Sequence, residues 1–286
     1  METTPIRVMW FVPPLLALVA AEDQQGVPVQ GQRNRSSDEQ FDALVAGDVD
    51  AVVTSMDNVI GWNSRPGPKD FRVVAQIERT TPLSLVARSG LAELKDLREA
   101  NILVDAPDNG FVVALKAMLR EAGLLTEEYR LTPAGGVKER FDALMSGQGD
   151  ATLLGPPFAG SAIASGLVCL ATIQEKYPHF PGQGVVTRKG NPGQEKVSLW
   201  LAALERARIQ ITVAPEVAFK AVKNAGLPAQ FAEGMIALNP DSLLPTHEGI
   251  ALLVDHRWSL GLVGGDALYP TIVEESLIES NKGTAQ

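Results

Sequence analysis

The chain reads as a two-lobed α/β protein, each lobe a mostly parallel sheet flanked by helices, with two hinge crossings between the lobes. Three observations predict this. The segment Phe41-Asp42-Ala43-Leu44-Val45-Ala46-Gly47-Asp48-Val49-Asp50-Ala51 returns as Phe141-Asp142-Ala143-Leu144-Met145-Ser146-Gly147-Gln148-Gly149-Asp150-Ala151, with seven of eleven positions identical and a spacing of 100 residues. That period is far longer than a solenoid unit and marks two domain-sized halves. Each copy also sits in the same order of strand, helix, short strand, helix and strand, which gives a parallel sheet with helices on both faces. After the second half, the pattern is helical to the end.

Taken in order, residues 6–10 form a strand and residues 15–22 a helix. The first repeat is a helix with Phe and Leu on one face, stopped by Gly47 in the manner of a C-cap. An Asp-Ala turn then opens Ala51-Val52-Val53-Thr54, apolar enough to be buried on both faces of a parallel sheet. Residues 71–77 make a further strand. Pro82 to Arg88 reads as a strand with no helix before it, and so as a crossing into a second lobe. That lobe repeats the scheme: a strand at 101–105, a helix at 111–123, the second repeat, and the strand Ala151-Thr152-Leu153-Leu154. Gly184-Val185-Val186-Thr187-Arg188 reads as the returning crossing. Helices are expected at 195–208, 215–223, 229–236 and 248–260, packing back on the first lobe. The boundaries are residues 1–83 and 188–286 for lobe I, and 84–187 for lobe II.

Composition narrows the function. Of 286 residues, 45% are hydrophobic and 21% charged, an ordinary globular balance, and the net charge is −9. Without a basic run, nucleic acid and anionic membrane are excluded as main partners. One cysteine, Cys169, forms neither an internal disulfide nor a thiolate cluster. It lies in Gly166-Leu167-Val168-Cys169-Leu170 and reads as a buried strand residue. His179, His247 and His256 show no paired metal-ligand spacing, so no metal and no cofactor is expected. The apolar run near residues 11–21 follows no basic region, is interrupted by Pro13 and Pro14, and is too short to span a bilayer. On this reading the chain stays in the cytoplasm, or is periplasmic if a leader has been removed, and does not insert in the membrane.

The repeated "FDAL–G–DA" signature, Leu91-Ala92-Glu93-Leu94-Lys95-Asp96-Leu97 leading into the strand at Ile102, the helix ending in Ala-Gly-Leu at residues 122–124, and the C-terminal run of amphipathic helices resemble the NMT1/THI5-like substrate-binding proteins. These are related in shape to sulfonate-, taurine- and pyrimidine-precursor-binding proteins. The resemblance covers nearly the whole chain. It implies the type 2 periplasmic-binding-protein fold, a small-molecule ligand held between the lobes, and an ABC transporter permease as partner if the chain is exported. A cysteine-rich iron-binding motif of the thiamine-pyrimidine synthases is not present.

Ligands of open parallel sheets sit beyond the carboxyl ends of the strands. That rule nominates Trp10 and Phe11 after the first strand, with Trp10 expected on the cleft wall, and Ser55, Asp57 and Asn58 after the strand at 51. Glu78 and Thr80 follow the strand at 71–77. In lobe II it nominates Asp108, Asn109, Gly110 and Phe111, then Gly155, Pro157 and Phe158. The repeat makes Ser55–Asn58 and Gly155–Phe158 equivalent, so the two turns are expected to face each other across the cleft. Asp108 and Asn109 serve either as an N-cap or as the opening of an anion site, in which the amides of residues 109–111 meet a carboxylate or sulfonate. Glu78 needs a partner, from Arg79 or a cationic ligand. Arg188 reads as a structural ion pair, and Trp62, Trp200 and Trp258 as core.

Two functions follow. The first is a receptor that closes on a small organic solute, carboxylate or aromatic/heterocyclic, without chemistry. The second is a cytoplasmic enzyme on the same fold, like the menaquinone-pathway enzymes: a lyase, decarboxylase or hydrolase of a small organic acid, with Asp57, Glu78 or Asp108 as general acid or base.

Overall fold

The computed structural model describes residues 4–23, 26–228 and 231–278. Its strands are β1 (Ile6–Trp10), β2 (Val29–Arg33), β3 (Ala51–Ser55), β4 (Phe71–Gln76), β5 (Ser84–Ala87), β6 (Asn101–Val104), β7 (Arg130–Pro133), β8 (Ala151–Leu154), β9 (Val168–Thr172) and β10 (Gln183–Arg188). They form two separate five-stranded sheets, β2-β1-β3-β10-β4 and β7-β6-β8-β5-β9. The two orders are the same order twice. Three parallel strands come first, then one antiparallel strand supplied across the hinge, β10 in the first sheet and β5 in the second, then an edge strand.

β10 lies between β3 and β4, pairing Val185 with Val53 and Ala75. The second crossing therefore comes before residue 183, and the sequence boundary at 187/188 is corrected to this extent. The reason is burial. Val185 and Val186 are fully enclosed, as a central strand of a two-faced sheet requires, whereas a free connection would leave them in water.

The helices are α1 (Leu15–Ala20), α2 (Ser37–Ala46), α3 (Asp57–Ser64), α4 (Gly110–Glu121), α5 (Val137–Met145), α6 (Phe158–Ala164), α7 (Ile173–Lys176), α8 (Gln194–Val213), α9 (Glu216–Asn224), α10 (Phe231–Ile236), α11 (His247–Ser259) and α12 (Tyr269–Ile272). Of the expected helix at 229–236, positions 229 and 230 lie outside the described residues, as does Glu2 near the N-terminus.

The repeat has a structural cause at each kept position. Gly47 and Gly147 both adopt φ +74, where a side chain would be strained, and this turns α2 and α5 toward the strands that follow. Asp50 accepts the Arg7 amide at 2.8 Å, and Asp150 accepts the Asn101 amide at 2.7 Å. Each aspartate thereby locks the start of its lobe's first strand beside the strand it introduces. Asp50 also holds the Arg7 guanidinium and the Lys196 ammonium. Burial opposes its charge, but the Arg7 side chain and amide and then Lys196 outweigh it, holding the carboxyl at about 2.

The C-terminal helices return to lobe I. Trp200 and Leu204 of α8 and Val222 of α9 are fully buried with Leu16 and Val19 of α1. Each such side chain contributes about 1.5–3 kcal/mol of apolar burial. The exception is α11, which packs against both α3 of lobe I and α4 of lobe II. Here one apolar cluster runs through the junction, with Met56, Val59 and Ile60 beside Leu115, Met118 and Leu253.

Two expectations are overturned. Trp258 is 73% exposed, on the outer face of α11, while Trp62 and Trp200 are core. Cys169 is exposed on β9, because β9 is the sheet's edge strand and presents alternate side chains outward. Arg188 does form its ion pair, with Asp70. Among the described residues no helix is long and apolar enough to cross a membrane.

Candidate functional site

The carboxyl ends of both sheets meet where the Ser55–Asn58 turn of lobe I touches the start of α4 in lobe II. Gly110 sits so close that an added Cβ would lie 2.3 Å from Ser55 Oγ and 2.6 Å from Asp57 Cβ. The Gly110 amide donates across the junction to Asn58 Oδ1 at 2.8 Å, and Asn58 Nδ2 donates to Thr54 at 2.7 Å. The surface facing Ser55–Asn58 is thus Asn109–Gly110. The Gly155–Phe158 turn is engaged within its own lobe: Pro157 precedes α6, and the Phe158 ring lies 5.2 Å from that of Phe141. The expected facing of the two repeat-related turns is corrected accordingly.

The side chains nominated from the sequence divide three ways. Phe11 reaches the junction, its ring within 3.3 Å of a Cβ built at Gly136 of lobe II. Ser55, Asn58, Asn109, Gly110 and Phe111 are there as well. Trp10 is not on the cleft wall. Its indole fills the lobe I core under Gly31, where no side chain stands in the way.

Asp57 is fully buried but committed, bound by Arg257 through both oxygens at 2.7 and 2.6 Å. Asp108 points into solvent, 79% exposed, near Lys116 at 3.7 Å. Glu78 and Thr80 belong to the hinge. Glu78 accepts from the Thr81 hydroxyl and from the amide and side chain of Gln183, while Gln174 donates to Thr80 and Thr81. These bonds tie the two crossings to each other. Burial pushes the Glu78 carboxyl upward. Arg79 is not its partner, because that guanidinium donates to Ala237 O. None of the three proposed acid–base carboxyls therefore stands free in the cleft in this arrangement.

The anion reading of α4 changes too. Asn109 is the cap, its Oδ1 accepting from the Phe111 amide. The Asn109 amide goes to Ala106 O and that of Gly110 to Asn58. All three amides offered to a carboxylate or sulfonate are engaged internally.

Two residues not nominated from the sequence complete the site. Asp105, at the end of β6, accepts from Asn109 Nδ2 at 3.0 Å. Burial pushes its carboxyl upward, against the field of Arg140 and of the backbone amides of Ala106, Asp105 itself and Ser37. Arg140 reaches from α5 to the end of β8, donating to Thr152 Oγ1 at 3.1 Å and Leu153 O at 2.6 Å. Burial lowers its pKa, while Asp105 and Glu139 oppose that. Its Nε is enclosed and finds no partner among the described residues.

Asp105 and Arg140 line one cavity of about 20 Å³, walled by Leu83, Leu103, Leu115, Leu153 and Phe111. That is room for a single water. Among the described residues no ion pair within 4.0 Å joins the two charges.

The repeat itself contained the signal for Arg140. Gln40 stands at the equivalent place and donates to Val53 O at 2.9 Å, as Arg140 does to Leu153 O. Its Nε2 faces a second oxygen, Asn34 Oδ1, so the amide orientation is determined, and Oε1 is left buried and unpartnered. Aligning the halves shows Gln replaced by Arg at the rim of the second sheet.

No protein-family model matches the chain, and no curated protein matches it. Solved structures do. The ligand-binding component of an ABC-type import system from Staphylococcus aureus, with zinc bound, superposes with TM-score 0.79 at 11% identity, over 97% of this chain and 99% of that one. The periplasmic nitrate-binding protein NrtA from Synechocystis PCC 6803 gives 0.77 at 11% identity, over 100% and 90%. The alkanesulfonate-binding protein SsuA from Xanthomonas axonopodis pv. citri, bound to MOPS, gives 0.72 at 15% identity, over 98% of each chain. The chain therefore has the two-lobed periplasmic-binding-protein fold. Among its described residues no group of three or more His, Cys, Asp or Glu side chains is placed to hold a metal ion.

Proposed function

We propose that the protein is a solute receptor of the NMT1/THI5-like kind, which takes one small organic molecule between its lobes and performs no chemistry on it. The observation that carries this reading is the acid–base couple Asp105 and Arg140, lining a leucine- and phenylalanine-walled cavity formed by lobe II and the hinge residue Leu83, beside the α4 start that meets lobe I. Ligand sites of globular proteins combine apolar walls with a few convergent polar groups in this way. The structural neighbours, among them an import component and nitrate- and alkanesulfonate-binding proteins, support it by analogy of fold.

The cavity as it stands takes a water, so a solute enters as the lobes part at the Gly110–Ser55 contact and close again. Phe11, Ser55, Asn58, Asn109 and Phe111 border the space so formed. In an exported form, the partner is an ABC permease and the compartment the periplasm.

The test is a calorimetric and thermal-shift screen of the purified chain against small carboxylates, sulfonates, amides and nitrogen heterocycles, with product analysis of every mixture. At least one solute is expected to bind in the micromolar range and raise Tm without being altered. Turnover of a bound solute would replace the receptor with the enzyme.

A further inference from the structure

On the receptor reading, the charge of the solute is set by how the site's own ionisable groups are partnered. Arg140 is a half-buried side chain whose direct bonds all go to neutral oxygens, Thr152 Oγ1 and Leu153 O. Its Nε is enclosed and unpartnered, and the residue lines the cavity.

Asp105 is 8% exposed and bonded to the neutral side-chain amide of Asn109. The other charged groups around it are committed elsewhere. Glu139 of α5 pairs with Arg33 of β2. On α4, Lys116 donates to Pro107 O and lies near Asp108. On α2, Asp38 pairs with Arg65, and Glu39 accepts the Arg35 amide. One acidic and one basic side chain thus line the cavity with no ion pair between them, and with Asp105 ionised under the field of Arg140 their charges sum to zero.

We propose that the solute is net neutral and dipolar, offering a hydrogen-bond donor to Asp105 and, beside it, an acceptor to Arg140 Nε, with a small apolar body against Leu83, Leu103 and Phe111. A monoanion satisfies Arg140 but sets a like charge against Asp105. A monocation does the reverse. Either leaves one of the two groups worse off than before, whereas a zwitterion or a neutral group such as a carboxamide completes both.

The experiment titrates the full chain with four probes sharing one isobutyl body: leucine as the zwitterion, isocaproamide as the neutral amide, isocaproate as the anion and isoamylamine as the cation. Leucine or isocaproamide is expected to bind at least about 30-fold more tightly than both charged probes, and whichever leads identifies the source of the dipole. Asp105→Asn makes the site net positive and is expected to turn the preference to isocaproate. Arg140→Gln makes it net negative and is expected to turn it to isoamylamine. A purely structural role for either residue would weaken all four probes alike, and circular dichroism checks that the variants fold.

Wild-type preference for isocaproate or isoamylamine overturns the inference and leaves the receptor reading intact, as does an order of probes unchanged by either substitution. Failure of all four probes to bind also overturns the inference. The receptor reading falls with it only if the broad solute screen is negative as well.

Discussion

Gly110→Ala is the most direct probe of the lobe junction. The new methyl would sit 2.3 Å from Ser55 Oγ and 2.6 Å from Asp57 Cβ, where ordinary contact begins near 3.4 Å. Neither neighbour yields easily. Ser55 is 2% exposed, and Asp57 is fully buried and held by both arms of the Arg257 fork. Relief therefore requires the Gly110 backbone to move off by about 1 Å, which stretches its 2.8 Å bond to Asn58 past useful length. Overpacking of this kind costs about 1–3 kcal/mol, and a buried Asn58 oxygen left without its donor adds about 1–3 kcal/mol. The sum, about 2–6 kcal/mol, corresponds to a Tm lower by roughly 5–15 °C for a chain of this size. Hydrogen exchange should accelerate at the first turn of α4, and Ser55→Gly in the same chain should restore part of the loss, as a coupled neighbour does. A Gly110→Ala protein with unchanged Tm and unchanged exchange at α4 would refute the close junction.

Three further outcomes follow from the same contacts. Arg257→Ala strands the Asp57 carboxylate in the interior and should cost about 3–5 kcal/mol in denaturant unfolding, much more than removal of the exposed Arg33–Glu139 pair. Asp50 titrates near 2 in the fold and at 3.8 unfolded, so its stabilisation of about 2.5 kcal/mol is complete above pH 3.8 and drains away as the pH falls toward 2. Asp50→Asn should therefore be less stable than wild type at pH 7, and the gap should close in that acid window when unfolding is followed against pH. Cys169, exposed on β9, should react in full with a thiol reagent in the native protein, before any denaturant is added.

What could be read in advance was set locally. The strands at 51 and 151 announce themselves by unbroken apolar runs, and α2 and α5 by a glycine stop. The duplication located both lobes before any contact was known. The return of α8 and α9 to lobe I was legible because a second extended segment, at residues 184–188, reads as a crossing back before the helices begin.

What escaped was set by distance along the chain. Asp57 finds its partner at Arg257, 200 residues away, and Glu78 at Gln183, 105 away. No local pattern separates a carboxylate awaiting a ligand from one already paired. Trp10 was misassigned because strand-end position does not tell which face a ring takes, and glycine at 31 opened the inner one. Arg140 hid inside a helix whose amphipathic face looked like ordinary packing. Only the comparison with Gln40 exposes it.

The two aspartates that clasp the opening strands bear on how such chains are sorted. Asp50 and Asp150 earn their place by anchoring main-chain amides, and both lie at the far end of their strands from the lobe junction. A doubled FDAL–G–DA about a hundred residues apart hence certifies a scaffold and is silent on cargo. Proteins collected by that mark should share architecture while diverging in what they carry, and the residues worth comparing among them lie at the opposite rim, where 40 and 140 stand.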